Sequence, residues 1–224
     1  MYPGIWIGKN VESAKQKVLI LGESHYVSDF RDNHDAIGKI SFTTRSIVES
    51  YLNDHISNGD WAFFTRIAKI FGYRTEEEIR KFYDLVYFGN YVNVLVDKDS
   101  EQNGKYFIDK NKTIYNKELF DFCVNSSINV VVCFSKLVYD NLPNGGKNLN
   151  SQNENNMTIP WGKGTTSPEK WLYEKGYWKN KFLILDNNLL VYGLPHTSRP
   201  YDVDLVYNEY INKQQELQWL CNVS

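Results

Sequence analysis

The chain has 224 residues, 42% of them hydrophobic, enough for one sizeable domain with a complete core. Its formal charge of −2 excludes a global basic field of the kind that announces nucleic-acid binding, leaving only a local groove for that purpose. The three cysteines, Cys123, Cys133 and Cys221, form no CxxC pair and no apolar run is longer than a strand, so the expectation is a reducing cytosol, with Cys123 and Cys133 as buried thiols, and no transmembrane helix.

Ile5-Trp6-Ile7 reads as an edge strand or cap, and residues 17–21 as the first core strand. That strand breaks at Gly22 into Glu23-Ser24-His25-Tyr26, which puts reactive groups at its carboxyl end, where ligands bind in open α/β sheets. A polar loop over 27–39 carries Asp29, Arg31, Asp32, His34 and Asp35. Residues 43–52 place Ile47, Val48, Tyr51 and Leu52 on one helical face. Asp60 can cap a second helix, in which Trp61, Phe64, Ile67, Ala68 and Phe71 recur at helical spacing. Thr75-Glu76-Glu77-Glu78 is a capping box opening a third, toward Asp84.

The run 85–88 is a second strand entering a turn at Asn90, and 91–96 fits either helix or extended chain. A helix is expected over 115–124. The β-branched run 128–134 is typical of a central parallel strand, and Ser135 can cap a helix through Leu142. Over 144–168 the composition turns to Asn, Gly, Ser, Thr and Pro, a long polar loop or insertion. Residues 182–185 and 189–192 can form a hairpin, and a last helix spans about 202–220. The alternation of strands and helices predicts a single α/β domain over 1–224, a three-layer sandwich with a largely parallel four-stranded central sheet flanked by helices.

Three apolar runs end in polar groups: Gly22-Glu23-Ser24-His25-Tyr26, Gly89-Asn90-Tyr91, and Pro195-His196-Thr197-Ser198-Arg199 after residues 189–192. Together they suggest one composite site. Their order and spacing over most of the chain resemble the uracil-DNA glycosylase superfamily. Phe42, just before a helix, matches the place of that family's base-stacking aromatic, and the strand at 130–134 its third core strand.

The resemblance implies excision of a flipped uracil-like or modified base from DNA, single- or double-stranded, by a cytoplasmic monomer in base-excision repair or defence against foreign DNA. No metal and no organic cofactor are implied. An enzyme acting on a base must extrude it and hold it in a pocket. Asn90 would read the base edge through its amide, which both donates and accepts. Phe42 would stack on the base, and Gly22, His25 and Tyr26 would shape the pocket. His196 would stabilise the charge that develops on the leaving base. Thr197 and Ser198 would grip phosphate, while Arg199 or Tyr201 would fill the gap in the duplex.

The sequence departs from the family pattern in three places. Ser24 stands where strongly uracil-active members carry a catalytic aspartate, so the water-activating role passes to Glu23 with Ser24, or to a loop acid such as Asp29. Thr197 replaces the usual proline, and Arg199-Pro200-Tyr201 an apolar wedge. Three scattered cysteines exclude the four-cysteine iron–sulfur cluster of some branches. Two other readings stay open. One is a binding module for nucleic acid or nucleotide without catalysis. The other is a GDSL-type serine hydrolase built on Ser24, Asn90 and His196, in which Gly193 occupies the place of the orienting acid.

Overall fold

The computed structural model describes residues 4–26, 37, 43–56, 61–97, 101–142, 178–184, 187–194, 196–197 and 202–221. Asp29, Phe42, Asp60, Ser198, Arg199, Tyr201 and the 144–168 segment lie outside the described residues.

A six-stranded sheet forms the middle layer, in the order β1 (Trp6–Ile7), β4 (Tyr87–Asn90), β2 (Val18–Gly22), β6 (Val130–Cys133), β8 (Asn187–Gly193), β7 (Trp178–Ile184). The inner four strands run parallel to one another, and β1 and β7 close the two edges antiparallel. The sheet is thus mixed and six strands wide, with the parallel portion at its centre. A short parallel pair, β3 (His25–Tyr26) with β5 (Leu95–Val96), lies apart from it. Residues 91–96 therefore run on as extended chain, and Asn90 ends a strand instead of sitting in a turn.

Strand β2 reads as an unbroken apolar run because both of its faces are covered. Its side chains alternate. Val18 and Ile20, with Phe88, Val130, Val132 and Tyr192, pack under α1 (Thr43–Ser50), α2 (Ala62–Ile70) and α3 (Glu76–Asp84). Leu19 and Leu21, with Tyr87, Val131, Cys133 and Val191, pack under α4 (Gly104–Asn125) and α5 (Lys136–Asn141). Each such side chain fully withdrawn from water contributes roughly 2 kcal/mol before entropy is counted. Cys123, Cys133 and Cys221 are free thiols buried within these layers. Among the described residues no helix is long and apolar enough to cross a membrane.

The helix caps follow local chemistry. Thr75 Oγ1 accepts from Glu78 N, and Glu78 Oε2 accepts from Thr75 N at 2.8 Å, the reciprocal box read from the sequence. Thr75→Ala is expected to cost about 1 kcal/mol, a fall in Tm of about 2–4 °C in a thermal melt. Ser135 caps α5, accepting from Val138 N.

Two helices differ from the sequence reading. Helix α4 begins at Gly104, capped by Asn103, well before residue 115. Its first turns are lysine- and asparagine-rich and bury only Gly104 and Ile108, so they carry too few apolar residues to signal a period. Toward the carboxyl end, among the described residues, only α6 (Val203–Glu209) is α-helical. Tyr210 leaves helical geometry, and two 3₁₀ turns, Ile211–Lys213 and Gln218–Leu220, instead bring Ile211, Leu217 and Leu220 into the core.

Candidate active site at the strand ends

All four parallel strands deliver residues to the same end of the sheet. The β2–β4 ladder continues past the strands through Tyr91 N to Gly22 O (3.0 Å) and Val92 N to Glu23 O (2.9 Å). Those bonds fix the direction in which Glu23 and Ser24 leave β2. Asn90 ends β4 directly opposite Gly22. Ser135 follows β6, and His196 follows β8.

A cavity of about 360 Å³ opens at this edge, near the lower end of the 300–1,000 Å³ range for small-molecule sites. Glu23, Ser24, His25, Tyr26, Asn90 and His196 supply its polar groups. Trp61, Phe63, Phe64, Phe88 and Ile47 form its apolar walls. Six residues named from three separate sequence motifs thus line one cavity.

Glycines set the spacing of the floor. A methyl group built on Gly22 would lie 2.2 Å from Asn90 Oδ1, so the bare Cα of Gly22 is what lets the Asn90 amide lie across it. Gly22 therefore supports the site without lining it. On the other side a methyl group on Gly104, the first residue of α4, would lie 2.6 Å from Glu23 Oε1 and 3.5 Å from Ser24 Oγ. Glu23 is held from below by Ser135, whose hydroxyl donates to Oε2 at 2.8 Å while accepting from the α5 backbone. The Cys133 thiol, which donates to Ser135 O, is pushed up to about 12 by burial and stays protonated. Ser24 Oγ is shut off from solvent and makes no hydrogen bond among the described residues. Among the described residues no histidine engages it as a base.

His25 is buried, with Nε2 2.8 Å from Thr44 Oγ1. Burial drives its pKa down to about 4, so at neutral pH the ring is uncharged. His196 lies flat on Phe63, with centroids 4.8 Å apart and planes at 29°. Trp61 begins the aromatic wall from a left-handed backbone, φ 60° and ψ 42°, a strained conformation for a bulky residue that costs about 1–3 kcal/mol. Its indole stacks on His55 at 5.0 Å and 10°.

Thr197 does not line the cavity. It is completely buried; its hydroxyl donates to Phe63 O at 3.1 Å, and its carbonyl accepts from Arg66 Nη1 at 2.7 Å. The sequence pattern sets Trp61 and Phe64 at helical spacing with Ile67, Ala68 and Phe71 and gives Phe63 no role, so the aromatic walls are a finding of the structure. The cluster Trp61-Ala62-Phe63-Phe64 is a usable signal, since rings at three of four consecutive positions around a helix start cannot all face one core stripe. Among the described residues no group of three or more His, Cys, Asp and Glu side chains is arranged to hold a metal ion. No protein-family model matches the chain, and no curated protein matches it either.

Proposed function

We propose that the protein is a DNA glycosylase-like enzyme that hydrolyses the N-glycosidic bond of a flipped uracil-like or modified base. The observation that carries this reading is the pairing, in one aromatic-walled cavity, of the Asn90 amide with the Glu23 carboxylate and the Ser24 hydroxyl, which converge on Gly104. A planar base entering the cavity replaces its lost stacking against the aromatic walls, while Asn90 reads its edge. The bond from the sugar C1′ to the base nitrogen breaks with its electron pair going to the base, where His196 stabilises the charge. A water held by Glu23 adds its oxygen to C1′ and yields its proton to Glu23. No metal or organic cofactor enters this scheme, and the partner is DNA, bound by a monomer in the cytoplasm.

A second reading, a binding module without catalysis, draws support from Ser24: a hydroxyl with no base engaged cannot substitute for an aspartate.

Alkaline strand scission over a panel of single- and double-stranded DNAs separates the two. The panel holds uracil, hypoxanthine, xanthine, and hydroxymethylated or glucosylated cytosine. The expected result is cleavage of one modified base, lost in His196→Ala. Gly104→Ala is expected to fold and to lose cleavage, because the added methyl meets the carboxylate end of the Glu23 side chain and not backbone. Binding without scission on every duplex would select the binding module, and neither binding nor scission would refute both.

A further inference from the structure

We infer that Thr197 and Arg66 are positioning residues for His196, an assignment that rests on the reading of His196 as the group that stabilises the leaving base. Helix α2 holds the segment after β8 at three points. The Phe63 ring carries the His196 imidazole, the Phe63 carbonyl accepts from the Thr197 hydroxyl, and the Arg66 guanidinium donates to the Thr197 carbonyl. Two of these points belong to one residue. The ring plane that faces His196 and the backbone oxygen that anchors the next residue are thus rigidly related. Arg66 lies three positions further along α2, on the neighbouring turn, and its charged donor makes the stronger of the two backbone anchors.

The arrangement suits a donor that must already be in place when charge develops, since a preorganised group needs no reorientation during bond cleavage. The stack sets the plane of the imidazole, and pinning the adjacent residue on both its side chain and its carbonyl fixes the backbone from which that ring extends.

The test uses the full chain with Thr197→Val, which keeps the shape and removes the hydroxyl, Thr197→Ser, which keeps the hydroxyl, and Arg66→Met. Two readouts are taken. One is the NMR shift of the His196 Hε1 proton, which sits in the ring current of Phe63 and is one of only four histidine signals to assign. The other is steady-state cleavage of whichever modified base the wild type excises. In Thr197→Val and Arg66→Met the Hε1 signal is expected to move toward its free-histidine position. The accompanying loss of kcat is expected to be roughly 10²-fold with KM little changed, the scale of a misplaced catalytic group. Thr197→Ser is expected to restore both. An unmoved Hε1 signal in folded Thr197→Val and Arg66→Met would overturn the assignment. So would a shifted signal with kcat intact. A wild type that cleaves no base would refute the enzymatic reading and the catalytic part of this assignment, while the Hε1 shift would still report whether the anchors hold the ring.

Discussion

Between about pH 7 and about pH 4 the folded state is expected to lose about 3 kcal/mol of stability through one residue, His25. Burial lowers the pKa of this imidazole from its ordinary 6.5 to about 4. The unfolded chain takes up the proton as pH falls through 6.5, whereas the folded chain resists it until about 4. Stability is therefore full above the unfolded value and drains away as pH falls toward the folded one. Glu23 and His196 face the same cavity and are themselves titratable groups. The measurement is thus a comparison: urea unfolding of wild type and His25→Gln across the range. Glutamine keeps a partner for Thr44 Oγ1 but has no proton to gain. The variant should show a flatter profile, and parallel profiles would mean that His25 protonates as readily folded as unfolded. The consequence for function is that the pocket keeps an uncharged ring beside Glu23 at neutral pH, so this histidine shapes the cavity and does not neutralise the carboxylate.

Gly22→Ala is expected to destabilise the fold by about 1–3 kcal/mol and to abolish recognition at the site, with both effects running through Asn90. The new methyl would meet Asn90 Oδ1 at 2.2 Å and Cγ at 3.4 Å, and the Asn90 side chain is itself buried at the end of β4. The amide would have to rotate off β2 into the cavity it serves. A double-mutant cycle isolates this cause. In an Asn90→Ala background the same glycine change has no amide to displace, so its cost should fall well below that in the wild type. An undiminished cost would place the strain in the backbone and detach Gly22 from the site.

Much of the fold was legible because it rests on local chemistry. The buried run of β2, the β-branched run of β6, the Thr75 box and the Ser135 cap each depend on residues within one or two turns of each other. So does the hairpin of β7 and β8. The helix over α4 was legible only in its second half, because its exposed first turns bury almost nothing. The carboxyl-terminal helix was overextended, since apolar residues packed by 3₁₀ turns mimic a helical stripe.

The sequence by itself determined which side chains would stand at strand ends, since an apolar run that stops at a glycine or polar residue must release its chain there. That was enough to name Glu23, Ser24, His25, Tyr26, Asn90 and His196, which line one cavity. Only the tertiary structure decided what meets them. Ser135 reaches Glu23 across 112 residues of chain, Gly104 leaves the space that Glu23 and Ser24 approach, and α2 supplies both the aromatic wall and the anchors of Thr197. Periodicity reports that a side chain is buried but not against what. The order of strands in the sheet, which no local pattern encodes, made those pairings.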